Sequence, residues 1–132
     1  MESKFLSPLR FIYGLQVREG LPDSYLTLTT DLVYQSEHLG NTVHIPYCFR
    51  SDGASVPKAL WKHYPPFGHY LGAAVVHDWF CVLGRAKTSP IDYIDAAKVF
   101  REAMKVLGVS RWKRNKMYWA VRLFGPKFNK GK

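Results

Sequence analysis

LGAAVVHDWFCVL, residues Leu71 to Leu83, is apolar on every side except at one adjacent pair, His77 and Asp78. A helix that is hydrophobic all round is a buried helix. An ionisable pair inside it must be hydrogen-bonded, paired or metal-bound, because an unpaired buried charge costs several kcal/mol. Working outward, Pro65-Pro66-Phe67-Gly68 breaks the chain, so the helix is expected from about His69 to Leu83, stopped by Gly84. Ser89 is expected to cap the next helix, with Pro90 at its first position, and that helix runs to Leu107 before Gly108. Its apolar face is Tyr93, Ala96, Ala97, Phe100, Ala103, Met104 and Leu107, with Asp95, Val99 and Glu102 pointing away. Ser110 caps a third helix, Arg111 to Phe124, with Trp112, Tyr118 or Trp119, Val121 and Leu123 as apolar contributors and Gly125-Pro126 as its stop. The connection from Gly84 to Thr88 is short, which makes the first two helices antiparallel neighbours.

The first half reads as strand and turn. Arg10 to Val17 and Ser24 to Tyr34 are rich in β-branched and aromatic residues and are separated by the turn cluster REGLPD. Thr42 to Tyr47 is a third candidate after the Gly40-Asn41 turn, with Pro46 demoting its end to an edge. Ser55 fits the N-cap of a short helix reaching about His63. The expected fold class is α+β in one domain, 1–132: a small antiparallel sheet over 1–50, a mainly helical 51–132, and a basic helix and tail from 110.

Composition bounds the function. A 132-residue chain can bury roughly two-thirds of its unfolded surface. Its hydrophobic content of 47% and aromatic content of 15% exclude a disordered chain. No window approaches the ~18 apolar residues of a membrane span, and MESKFLSPLRF lacks the apolar run of a secretory signal. Cys48 and Cys81 have no metal-like spacing, so a reducing compartment is expected.

His77 and Asp78 are the chemistry-bearing pair. Asp78 could ligate a hard cation such as Ca2+ with carbonyls of the loop around Gly68, and with Asp52 if that residue leaves its Asp-Gly turn. His77 would then act as general base on a polarised water, its other nitrogen held by an acceptor from the facing helix. Against this stands a satisfied core histidine with no chemistry. Zinc at His63, His69 and His77 lacks a compact ligand spacing. Ser55 has no nucleophile elbow around it. Cys81 lies one turn from His77, and a Cys-His nucleophile competes there with inert packing.

GAAVVHDWFC followed by DAAKVFREAM resembles the His-Asp helix pair of the phospholipase A-two superfamily, including the form carried by parvovirus capsids. There, His-Asp-x-x-Tyr faces Ala-Asp-x-x-Phe on the next helix. Two positions depart: Cys81 stands in place of the Tyr and Ala97 in place of the Asp that orients the histidine. The nearest substitute carboxylate is Asp92. Losing an orienting carboxylate can cost orders of magnitude in rate, so the sequence leans away from a competent hydrolase. Without it His77 is expected to be neutral at pH 7, with backbone, tyrosine side chains (Tyr70 and Tyr93 the nearest) or water as hydrogen-bond partners.

A second resemblance spans nearly the whole chain. Ser51-Asp-Gly-Ala-Ser-Val-Pro57, Pro65-Pro66-x-Gly68, Ala73-Ala74-Val-Val-His77-Asp78-Trp79, Phe100-x-Glu-Ala-Met104 and Met117-Tyr118 to Gly125 occur in this order in a family of small phage- and prophage-encoded proteins of no established activity. That likeness implies a virion component or accessory protein, tail-associated, with other virion or assembly proteins as partners and the virion or host cytoplasm as its place.

Charge supplies the remaining clue. Net charge is +9, and Ser110 to Lys132 holds eight basic residues and no acid. Arg111, Lys113, Arg114, Lys116, Arg122 and Lys127 therefore point to one anionic partner, nucleic acid or anionic membrane. The competing reading is a solvated basic face. The tail Asn129 to Lys132 is of a kind that is usually disordered, so a partner is expected to hold it. No cofactor is expected, or Ca2+ if the hydrolase reading holds.

Overall fold

A computed structural model describes residues 2–18, 21–51 and 70–131, with the side chains of 13–18 and 21–25 outside that description. Six strands and three helices follow in order: β1 (Lys4–Phe5), β2 (Phe11–Arg18), β3 (Leu21–Leu28), β4 (Leu32–Ser36), β5 (Asn41–Ile45), β6 (Arg50–Ser51), α1 (Leu71–Arg85), α2 (Tyr93–Val106) and α3 (Arg111–Phe124). The α+β class is as expected. The strands form two antiparallel three-stranded sheets, β1-β4-β5 and β2-β3-β6, where the sequence suggested one.

The expected strand Ser24 to Tyr34 is in fact the end of β3 and most of β4, which lie in different sheets. Thr29 to Asp31 makes the crossing. The Thr29 amide donates to Arg10 O at 3.0 Å, and the Asp31 carboxylate accepts from the Tyr47 amide at 2.7 Å and meets His44 Nε2 at 2.8 Å. These two contacts, the His44 bond first, hold the Asp31 carboxyl below its ordinary range. Asp after two threonines is a turn former, and here it ends the run. The REGLPD cluster is mostly strand, because β2 closes at Arg18 and β3 opens at Leu21.

β4 alternates buried and half-buried residues. Leu32, Tyr34 and Ser36 turn inward, opposite Ile45, Val43 and Asn41 of β5. Gly40, at φ +70°, closes the turn between the two strands, a conformation glycine adopts without a Cβ penalty.

α1 and α2 pack antiparallel, as the short connection predicts. A Cβ at Gly72, at the start of α1, would lie 3.6 Å from Leu107 just past the end of α2. Near the middle of each helix the His77 and Phe100 rings stand 5.1 Å apart. Ala97 and Phe100 are 1% and 0% exposed, on the shared face.

Two local expectations are corrected. Gly84 does not stop α1, which continues to Arg85; it is the place where Phe128 of the tail crosses the helix, and a Cβ there would overlap the Phe128 ring. α2 is capped by Asp92, whose Oδ1 accepts from the Asp95 amide at 2.8 Å, and not by Ser89. The Ser89 hydroxyl is engaged by its own turn, donating to Ile91 O at 2.6 Å. Val99 and Glu102 lie off the face shared with α1, as expected, yet Val99 is 0% exposed and Glu102 half-buried. Glu102 meets β4 and the turn after it, so α2 is packed on both sides.

Glu102 is the join between sheet and helix. Its Oε1 accepts from the Tyr34 hydroxyl at 2.7 Å and the Ser36 hydroxyl at 2.8 Å, and its Oε2 from the His38 amide at 2.9 Å. The tail is held by the chain itself: Phe128 O accepts from the Tyr93 amide at 3.0 Å, and the Gly131 amide donates to Ser89 O at 2.7 Å. Gly84→Ala is expected to lose about 1–3 kcal/mol by displacing Phe128. Urea denaturation of the variant measures this, and an unchanged midpoint would mean the ring moves without cost.

Candidate functional site

His77 reaches the interior because the apolar run around it buries α1 on nearly all sides. The residue is 3% exposed. Its ring lies tilted by 36° against Phe100, and its Nδ1 is 3.7 Å from Sγ of Cys81, one turn on. Burial alone pushes its pKa from 6.5 down to about 4, so the imidazole is neutral at pH 7. That agrees with the charge state expected from desolvation without an orienting carboxylate.

Tyr70, one of the two tyrosines expected to partner the imidazole, does not: its hydroxyl is buried and has no hydrogen-bond partner among the described residues, and burial pushes its pKa up to about 12. Inside α1 it is the Cys81 sulfur that meets the imidazole. Both Cys81 and His77 are 3% exposed, a poor setting for a Cys-His nucleophile that must reach a substrate.

Asp92 and His77 are not brought together. Asp92 is the cap of α2, eight residues before Phe100, and so stands about 12 Å along the helix from the level of His77. Asp78 is half-buried on the flank of α1. The other expected cation ligands, Asp52 and Gly68, lie outside the described residues, as do Ser55, His63 and His69. Among the described residues no group of three or more His, Cys, Asp or Glu is arranged to hold a metal ion.

The basic residues are placed by α3. Ser110 accepts from the Lys113 amide at 3.4 Å and starts the helix as the sequence implies. Met117, Tyr118, Ala120 and Val121 form its buried face. Of the expected apolar contributors, Tyr118 and Val121 are buried, whereas Trp112, Leu123 and Trp119, the alternative to Tyr118, are 72%, 56% and 50% exposed. Cations lie against the indoles: Lys116 Nζ is 4.7 Å from the Trp112 ring centre, and Arg122 Cζ is 5.2 Å from that of Trp119. Lys127 donates to Leu123 O at 3.1 Å near the end of the helix.

Between α2, α3 and the N-terminal segment runs an open groove of about 930 Å³. Its helical wall carries Lys98, Arg101 and Lys105 from α2 and Arg111 and Arg114 from α3. Two of these are pre-set: Arg101 Cζ stacks 4.0 Å from the Tyr118 ring centre, and Arg114 Nη1 donates to Val109 O at 3.1 Å. Glu2, Glu37 and Glu102 also line the groove, but Glu102 is occupied by its three bonds to the sheet. The His38–Asp95 and His44–Asp31 ion pairs involve none of these five groove cations. The sequence reading missed the α2 cations because it counted charge only along the C-terminal fifth. Their spacing of three and four residues on one polar row was the available signal.

Among the described residues no helix is long and apolar enough to cross a membrane. No solved structure matches the chain. Two proteins of Sinorhizobium fredii do: "Uncharacterized protein y4jT", 40% identical over 84 residues, and "Uncharacterized protein y4iH", 32% identical over 81 residues. These alignments take in 62% and 60% of this chain but only 24% and 32% of the relatives, so the chain spans about a quarter to a third of their length. A family match covers residues 26–121, from the end of β3 through most of α3, and the protein therefore belongs to the family described as "Protein of unknown function (DUF1353)".

Proposed function

We propose that this chain is a binding module, an accessory or virion protein of a phage or prophage associated with the tail or its assembly, built on a His-Asp helix pair that no longer catalyses. The observation that carries the loss of catalysis is the face of α2 opposite His77. Ala97 and the Phe100 ring occupy it, where a general base would need an acceptor to fix its tautomer. A buried neutral imidazole against a phenyl ring is a packing element. The occurrence of related sequence inside two longer proteins suits a domain that is combined with others. The basic α3 surface supplies what the module binds with.

A fatty-acid release assay on mixed anionic vesicles, with calcium and with chelator, tests the catalytic half. No release above background is expected from the wild type or from His77→Ala. Release that is lost both on chelation and in His77→Ala would overturn the proposal. It would establish instead a calcium-dependent acyl hydrolase with His77 as base and Asp78, Asp52 and the Gly68 carbonyl as ion ligands. Mass spectrometry of purified particles tests the other half, and the protein's absence from them would remove the virion role.

A further inference from the structure

The exposed face of α3 carries residues that folding does not account for. At about 100° per residue, Trp112, Trp119 and Leu123 fall within about 40° of one another, diametrically opposite Met117 and Val121. The largest apolar side chains thus stand at the pole farthest from the core. Phe124, 77% exposed, adds a further exposed ring at the C-terminal end of the helix, off the line of the ridge. Cations flank the ridge on both sides, Arg111 and Arg122 along one edge and Lys116 along the other. Beyond the Arg111 edge lies the groove with Lys98, Arg101, Lys105 and Arg114.

We propose that this face is a docking surface for an anionic lipid bilayer, with the Trp112–Trp119–Leu123 ridge seated at the headgroup boundary and lipid phosphates held along the groove. An aromatic ridge bordered by lysine and arginine is the arrangement of helices that lie in the interface plane. Tryptophan edges suit that depth, and each cation near an anionic surface adds attraction. Nucleic acid is the weaker fit. Base stacking needs open indole faces, and a cation already covers one of the two faces of each ring, Lys116 on Trp112 and Arg122 on Trp119. Leu123 has no ring to stack. The inference is independent of whether the His77 helix is idle.

Co-sedimentation with phosphatidylcholine vesicles, with and without phosphatidylglycerol, tests it, together with tryptophan emission. Binding to the anionic vesicles, a blue shift and loss of binding at high salt are expected, with little binding to phosphatidylcholine alone. Trp112→Ala/Trp119→Ala should bind at least about tenfold more weakly. Lys98→Gln/Lys105→Gln/Arg111→Gln should lose about a hundredfold in affinity for the anionic vesicles. All these positions are at the surface, so circular dichroism and melting should match the wild type. Leu123→Glu serves as a second probe of the ridge if the double variant folds poorly. Failure to sediment with anionic vesicles would overturn the proposal, as would undiminished binding by the ridge variants. So would retention of a single-stranded oligonucleotide by a protein that ignores the vesicles.

Discussion

Glu102→Ala is expected to lower the melting temperature by roughly 10–20 °C, the largest effect of any single substitution considered. The carboxylate accepts three hydrogen bonds from one strand and its turn. Two of the donors, Tyr34 and Ser36, are 0% exposed. Removing the acceptor strands both hydroxyls away from water, at about 1–3 kcal/mol each. Burial first, and then the neighbouring carboxylate, push the Tyr34 hydroxyl far above its ordinary pKa, so it stays a donor at any working pH. Glu102→Gln keeps one acceptor oxygen and should lose about half as much. A melt of Glu102→Ala within about 3 °C of wild type would show that the sheet holds to α2 without this node.

His77 has its largest effect in acid. Its folded pKa of about 4 lies below the unfolded value of 6.5. Between these two values the unfolded chain binds the proton and the folded chain does not. Stability therefore rises with pH across this window and is lost as pH falls from about 6.5 toward 4. At about 1.4 kcal/mol per pH unit the loss reaches about 3 kcal/mol. His77→Leu abolishes it. At pH 7 the variant should melt within a few degrees of wild type, and near pH 4.5 it should be the more stable of the two. The His38–Asp95 and His44–Asp31 contacts are untouched by the substitution, so the difference between the two proteins isolates His77. Parallel stability curves would contradict the assignment. A drop of more than about 10 °C at pH 7 would mean that the imidazole is part of a stabilising pair.

What could be read from the chain follows from how local each signal is. α1, α3 and the antiparallel packing of α1 on α2 were legible because unbroken apolar runs, Ser110 and a short connection each act within a few residues. The Asp92 cap was hidden by Ser89-Pro90, an equally good cap signal three residues earlier. Choosing between them needs the Ser89 hydroxyl's bond to Ile91, which is a tertiary fact. The role of Glu102 was not legible, because a helical polar row gives no hint that Tyr34 and Ser36, some 66–68 residues away, would meet it. The division into two sheets rests on Asp31 meeting His44 and Tyr47, again a nonlocal pairing. The α3 tryptophans misled for the opposite reason. Hydrophobicity places such residues inside by default, and only the buried Met117–Tyr118 face shows that the inside was already full. At the candidate site His77 and its charge state were readable. Its contact with Cys81 through Nδ1 depends on a rotamer, which spacing does not specify.

The node at Glu102 also divides two neighbouring amides of one surface turn by the motion that frees them to exchange with solvent deuterium. The Glu37 amide donates to the Ser3 hydroxyl at 2.9 Å, so fraying of the N-terminal segment is enough to release it. The His38 amide, in the next and equally exposed residue, donates to Glu102 on α2. It is released only when the sheet parts from the helix. Its exchange should slow toward the rate of global opening while that of Glu37 remains local, which makes His38 a surface reporter of whether sheet and helices open as one body.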